Sequence, residues 1–141
     1  MMEAEAVIGA KERRKNVNTG RPFEEEHHYS RAVRVGGVVQ VAGTTSVQMG
    51  EDVEGPFDAY VQTVSTLKWI RWGVEAQGLR FENLVRTRSY VVGEENVEPV
   101  TRALRETVGE MGPVATIVGV PALGRPSILV EIEATAVADA G

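Results

Sequence analysis

The sequence has 141 residues, 43% of them hydrophobic and 25% charged, which is typical of one globular domain with a core of its own. The formal net charge of -5 argues against general nucleic-acid binding, and the absence of cysteine excludes disulfides, thiol catalysis and thiolate metal sites. No stretch approaches the roughly 20 apolar residues of a membrane span, and the N-terminus lacks the apolar segment of a signal peptide. We therefore expect a cytoplasmic protein without membrane association.

The first elements in chain order are an arm and a hairpin. Residues 1–22 show no sustained periodicity, and we expect a loosely ordered arm before a domain that spans residues 23–141. From Tyr29 two β-rich runs follow, separated by Gly36 and Gly37. This pattern predicts a hairpin with a two-residue turn in which both glycines take positive φ.

An apolar stripe predicts the first long helix over residues 57–77, after Pro56 and before Gly78 as its C-terminal stop. The members of the stripe recur at spacings of three and four: Phe57, Tyr60, Val61, Val64, Leu67, Ile70 and Val74. Trp69 and Trp72 flank it. We interpret these two tryptophans as packing at the edges of the stripe or covering a subunit contact, in preference to forming a ligand platform.

The second half of the chain repeats this alternation of strands and helices. A strand is predicted over residues 84–92, followed by a turn that ends at Asn96, the expected N-cap of a second helix. One face of that helix carries the apolar residues Val97, Val100, Leu104, Val108 and Met111. Strands over residues 115–120 and 127–137 complete the order. It predicts a two-layer α+β domain with two helices on one face of a mixed sheet.

Charged residues alternate with apolar ones in two of these strands. Because strand side chains alternate between faces, Arg86, Arg88 and Tyr90 share one face, and Glu131 and Glu133 share one face of the last strand. Two interpretations stay open. The charges compensate each other on a solvated face, or they line an interface cleft that holds an anionic ligand.

Several segments, in order and at a similar spacing, resemble the YjgF/RidA family, formerly called the endoribonuclease L-PSP family. They are YSRAVRVGGVV from Tyr29, the Ala42–Gly43 pair, GLRFENLVRTRSYV from Gly78, PVATIV from Pro113 and LVEIEATA from Leu129. The likeness covers about residues 20–137. It implies a chorismate-mutase-like fold and a homotrimer, in which the sheets enclose a central barrel and three clefts lie between subunits.

The resemblance also implies which residues line a cleft. Active members hydrolyse reactive enamines and imines to ammonia and a 2-keto acid, and an arginine in a Pro-Ala-Arg motif binds the substrate carboxylate through paired hydrogen bonds. The family's water-positioning glutamate matches Glu131, and Tyr29 and Gly43 are retained. The arginine position is Ala115, which is unable to bind a carboxylate. The family's serine and asparagine positions match Ala42 and Thr101.

These matches imply a trimer with an intersubunit ligand cleft and a weak or altered enamine or imine hydrolase activity, with Glu131 as the catalytic residue. The ligand would be a small anionic metabolite that Arg88 or Arg125 contacts. The alternative is a non-catalytic metabolite-binding or regulatory protein of the same fold. Ribonuclease activity ranks last because the chain is acidic. No cofactor is expected, and His27 and His28 lack further ligands at a spacing that suits a metal.

Overall fold

The computed structural model describes residues 13–47 and 52–140. In chain order, their strands and α-helices are β1 (Arg14–Val17), α1 (Pro22–His27), β2 (Ala32–Val35), β3 (Val38–Thr44), α2 (Ala59–Ala76), β4 (Leu84–Val92), α3 (Val97–Val108), β5 (Val114–Val120) and β6 (Val130–Val137). The predicted order of strands and helices is therefore confirmed, with β1 and α1 added before it.

The strands form one mixed sheet in the order β1-β2-β3-β6-β4-β5. Strands β4 and β5 run parallel because helix α3 connects them, and the other neighbouring pairs are antiparallel. Helices α2 and α3 contact each other, and α2 lies against β3 and β6. The predicted α+β domain, with two helices on one face of a mixed sheet, is confirmed.

The core lies between that helix layer and the sheet. Its members from α2, α3 and β6 are Ala59, Leu67, Ile70, Val74, Val100, Leu104, Val108, Val130, Ile132, Ala134 and Ala136. Along β6 these buried residues alternate with Glu131 and Glu133, which are only half-buried and point away from the helices. The open face of the sheet is therefore the one that carries charge.

Helix α2 begins two residues later than predicted because Asp58 is its N-cap. The Asp58 Oδ1 accepts a hydrogen bond from the Val61 N–H at 3.0 Å. Phe57 precedes the cap, has a positive φ of 61° and is 68% exposed, so its assignment to the apolar stripe is wrong. Gly78, at a φ of 81°, follows the C-cap and ends the helix as predicted.

Part of the predicted arm belongs to the sheet. Strand β1 pairs with β2, and the buried Gln77 at the end of α2 donates hydrogen bonds from Nε2 to the carbonyls of Lys15 and Ala32, at 2.9 Å and 3.1 Å. For residues 14–17 the expectation of a loosely ordered arm is corrected, because a core side chain binds the strand. Residues 1–12 lie outside the described part of the chain, and the domain boundary after residue 22 stays a prediction.

Three local details also differ from the predictions. Only Gly36, the first turn residue of the hairpin, takes a positive φ. Asn96 stands at the N-cap of α3, but its Nδ2 donates to the carbonyl of Val92 at 2.7 Å and its side chain makes no cap bond. The register of β4 shifts beside Val85, which leaves this residue exposed while Thr87 on the same predicted face is buried.

Candidate functional site

Strand β3 carries an extra residue where it passes β6. Val41 pairs with Ala134, and Thr44 pairs with Ile132. Between these two pairs the chain advances by three residues along β3 but by only two along β6. The bulge therefore falls at Ala42 and Gly43. A bulge bends its strand and changes the direction of nearby side chains, and bulges are frequent beside functional sites.

Arg31 holds this bulge in place. Its Nη2 donates hydrogen bonds to the Gly43 carbonyl at 2.9 Å and to Thr44 Oγ1 at 2.6 Å, and its own carbonyl accepts from the Ala42 N–H at 2.9 Å. The Arg31 Cζ lies 5.8 Å from the centroid of the Tyr29 ring, within the range of cation–π attraction. No sequence signal distinguishes Arg31, because an arginine in an alternating strand segment resembles any exposed strand charge.

The carboxyl group of Glu131 lies against the bare backbone of Gly43. A Cβ atom on Gly43 would stand 3.1 Å from the Glu131 Cδ and 3.2 Å from its Oε2. Burial raises the pKa of Glu131 above its ordinary value; the positive charge of Arg31 opposes this rise, and the carboxylate of Glu133 adds to it. A carboxyl group with a raised pKa is suited to proton transfer near neutral pH.

We expect Gly43→Ala to destabilise the fold by about 1 kcal/mol, because the added methyl group forces the carboxyl end of Glu131 to shift. Urea denaturation of the single and double variants measures this. Replacing Glu131 by alanine as well should remove most of the cost of Gly43→Ala, since the two groups are in contact. Gly37→Ala is the matched control, because a Cβ there meets only Ala138 at 3.6 Å. If Gly43→Ala lowered the free energy of unfolding by the same amount in the Glu131→Ala background, the contact between these two residues would be contradicted.

A cavity of about 340 Å³ opens at the bulge. Tyr29, Arg31, Gly43 and Glu131 line it on one side, and Trp69 and Trp72 of α2 line it on another. Its volume falls in the usual range for small-molecule sites. The tryptophans, interpreted from the sequence as edge packing or a subunit contact, thus face the same space as the predicted residues Tyr29, Gly43 and Glu131.

The predicted residues Ala42 and Arg88 line a different depression, together with Glu133. Arg88 and Glu133 are cross-strand partners, and Arg88 Nη1 lies 2.7 Å from Glu133 Oε1. The hydroxyl group of Tyr90 also donates to this carboxylate oxygen, at 3.2 Å. Within one chain, Arg88 therefore compensates Glu133 and does not line the cavity of Glu131.

Two further predicted residues, Thr101 and Ala115, line neither space. Thr101 is exposed on α3, and its Oγ1 donates to the carbonyl of Val97 in the same helix at 2.8 Å. Ala115 is exposed on the outermost strand β5, where it pairs with Thr87. A single chain does not bring these two residues to Glu131.

The histidines have local roles beside the cavity. His28 ends α1 in the left-handed conformation, with a φ of 56°, and the His27 ring lies 4.2 Å from that of Phe23, centroid to centroid. Within residues 13–47 and 52–140, no group of three or more histidines and acids comes together as a metal site would require. Over the same residues, no helix is both long enough and apolar enough to cross a bilayer.

A mixed sheet with helices on one face and a polar cavity beside a β-bulge defines an α+β domain of the chorismate-mutase-like type. The family model described as "Endoribonuclease L-PSP" matches residues 19–138. An uncharacterized protein of Streptomyces coelicolor is 33% identical over 122 residues, which are 86% of this chain and 90% of that protein. The chain belongs to this family, which is the YjgF/RidA family.

Solved structures agree with this assignment. Rv2704 of Mycobacterium tuberculosis, a member of the YjgF/YER057c/UK114 family, is 37% identical with a TM-score of 0.78, over 88% of this chain and 98% of that one. Escherichia coli TdcF, solved with bound serine, is 20% identical with a TM-score of 0.72, over 88% of this chain and 94% of that one. At that identity TdcF supports the fold alone. Membership in the YjgF/RidA family also indicates a protein whose partner is a small molecule.

Proposed function

We propose that this chain forms a homotrimer that binds a small carboxylate-bearing metabolite in the cavity of Glu131 and hydrolyses its enamine or imine form weakly. One observation carries the proposal. The half-buried carboxyl group of Glu131 lies on the bare backbone of Gly43, inside a cavity of about 340 Å³, and its pKa is raised by burial. That is the environment of a group that orients and deprotonates water.

The chemistry needs only water and proton transfer. The oxygen of a water molecule adds to the carbon of the protonated C=N group while the carboxylate of Glu131 accepts a proton from that water. Glu131 then returns the proton to nitrogen and accepts the remaining hydroxyl proton of the adduct as the C–N bond breaks. A carbonyl group is left behind, and ammonia departs with that proton as ammonium. Because a raised pKa brings a carboxyl group closer to the working pH, Glu131 is suited to both transfers.

The charge of the cavity supports an anionic ligand. Arg21, Arg31 and Arg125 line it together with the carboxyl groups of Glu24 and Glu131. Glu24 is buried and accepts hydrogen bonds from the N–H and the hydroxyl group of Thr19, so it is engaged within its own segment. Arginines thus outnumber carboxyl groups in this lining, and in the proposal they provide the carboxylate contact that the family arginine, missing at Ala115, would make.

The trimer is supported by the open edge of the sheet. Strand β5 is one of the two edge strands of the described sheet and exposes Val114 and Val118. An unpaired edge with exposed apolar side chains is a surface that proteins usually cover. In the proposed trimer this edge meets a neighbouring subunit, so that Ala115 and Thr101 approach the cavity of Glu131 on that neighbour. The depression at Ala42 and Arg88 then faces the centre of the trimer.

The test is ammonia release from 2-aminoacrylate that is generated in situ. We expect Glu131→Gln to lower kcat/KM at least about 100-fold, since general base catalysis contributes about 10²–10⁴-fold. The rising limb of the pH profile should disappear in this variant. Glu133→Gln is the matched control on the same strand and should stay within a few-fold of wild type. If Glu131→Gln left the rate unchanged, the catalytic assignment would be wrong.

The second candidate is a non-catalytic metabolite-binding protein, and Ala115 is the observation that favours it. With alanine at this position, the family's carboxylate contact is absent from every subunit. Thermal-shift measurements with 2-keto acids distinguish the two functions. Ligand-induced stabilisation without ammonia release would support the binding protein and refute the hydrolase.

A further inference from the structure

We infer that the cavity selects carboxylates that carry a flat aromatic group of phenyl or indole size, with Trp69 and Trp72 as the platform for the ring. This inference rests on the proposed small-molecule function and names the ligand class of the same site. It is independent of whether the ligand is hydrolysed. The size of the cavity, the placement of its aromatic rings and the distribution of its charges support it.

Within one subunit, the cavity has more room than a three-carbon acid fills. An apolar cavity of about 150 Å³ is enough to hold benzene. The space beside Glu131 measures about 340 Å³, more than twice that volume. A three-carbon ligand would leave most of it filled with water, whereas a phenyl or indole ring attached to a carboxylate-bearing chain would fill it.

Aromatic side chains of this cavity come from two directions. Trp69 and Trp72 lie one helical turn apart on α2, with ring centroids 6.3 Å apart and an interplanar angle of 73°. Phe23 and Tyr29 form a second edge-to-face pair, with centroids 6.0 Å apart. All four line the cavity. Rings at such distances attract a further aromatic ring by stacked or edge-to-face contact.

Trp72 has no core role that would explain its position. It is 38% exposed and contributes nothing to the buried core, although the same helix buries Leu67, Ile70 and Val74. The accessible part of a large apolar side chain is not stabilised by folding. It gains by contact with a ligand that covers it.

The charged groups fix the other end of the ligand. Arg21, Arg31 and Arg125 line the cavity that contains the tryptophans. Arg31 is held in position because its Nη2 is bonded to the bulge and its guanidinium lies over Tyr29. A guanidinium group suits a carboxylate because it presents several N–H donors in one plane. The cavity therefore offers a cationic contact and an aromatic contact to one ligand.

Intrinsic fluorescence reports on this cavity directly, because both tryptophans of the chain line it. We expect phenylpyruvate to change the fluorescence and to bind at least tenfold more tightly than pyruvate. Trp72→Ala should weaken phenylpyruvate binding about tenfold and pyruvate binding less than twofold, with Trp69 as the remaining fluorophore. Phe57→Ala is the matched control, an exposed aromatic outside the cavity, and should change neither affinity. Phenylacetone, which lacks the carboxylate, should bind at least tenfold more weakly than phenylpyruvate.

The outcomes separate this inference from the proposed function. Equal affinities for phenylpyruvate and pyruvate, an equal loss of both in Trp72→Ala, or no binding of either would overturn the inference. Hydrolysis of 2-aminoacrylate without a preference for aromatic ligands would overturn the inference and leave the proposed function standing. An aromatic preference that depends on Trp72, without any ammonia release, would refute the hydrolase and leave the inference standing.

Discussion

Replacing Gln62 by leucine is expected to destabilise the protein by about 2–4 kcal/mol, because the Leu129 N–H would lose its partner and the carbonyls of Gly55 and Ser127 would each keep only one of two donors. Gln62 is fully buried on α2. Its Nε2 donates to the carbonyls of Gly55 at 2.9 Å and Ser127 at 2.6 Å, and its Oε1 accepts from the Leu129 N–H at 2.8 Å. Leucine has a similar volume, so the loss would come from unsatisfied polar groups and not from a void.

Urea denaturation of Gln62→Leu and a matched control measures this effect. Gln40→Leu is the control, because Gln40 is exposed and accepts a single side-chain bond from Thr135 at 2.7 Å. We expect the control to lie within about 0.5 kcal/mol of wild type. Because Ile128, between two of the bonded residues, lines the cavity, Gln62→Leu should also weaken ligand binding. Equal stability of the two variants would show that Gln62 does not hold these loops.

Restoring an arginine with Ala115→Arg is expected to raise kcat/KM for 2-aminoacrylate about 10–100-fold. Charge-assisted hydrogen bonds contribute about 1.5–3 kcal/mol, and about 1.4 kcal/mol corresponds to a factor of ten. Ala115 is exposed on β5, so a long side chain meets no crowding within its own subunit. The gain depends on the proposed trimer, because only a neighbouring subunit would bring residue 115 to Glu131.

The matched control is Thr116→Arg, on the next residue of β5, whose side chain points to the opposite face. It adds the same charge and should leave kcat/KM within about twofold of wild type. Sedimentation of each variant checks that the assembly is intact. An equal gain in both variants would indicate general electrostatic attraction, and no gain in Ala115→Arg would contradict the cleft.

Much of the fold was predictable because its signals are local. The alternation of apolar and charged residues along β6 settles which of its side chains face the helices, and the same alternation in β4 places Arg88 on the face of Glu133. The stripe on α3 and the stop at Gly78 follow from helical periodicity and from the left-handed conformation that glycine reaches easily. The order of these elements also carried the family resemblance.

The prediction failed where a side chain from elsewhere in the chain determines the local structure. Residues 127–129 have the composition of a strand but lie outside β6, since Gln62 takes the Ser127 carbonyl and the Leu129 N–H. Strand β1 was missed because Gln77 and β2, both distant in sequence, order it. Such partners leave no periodicity in the segment that they order.

By itself, the sequence determined the α+β class, the charged sheet face, the family and the alanine at position 115. Only the tertiary structure decided what surrounds Glu131. The bulge at Ala42 and Gly43 arises from a register shift between two distant strands, and it brings Arg31 and the bare backbone of Gly43 to the carboxyl group. The tertiary structure likewise decided that Trp69 and Trp72 face this cavity. Helical periodicity places side chains on a face of a helix but does not show what packs opposite them.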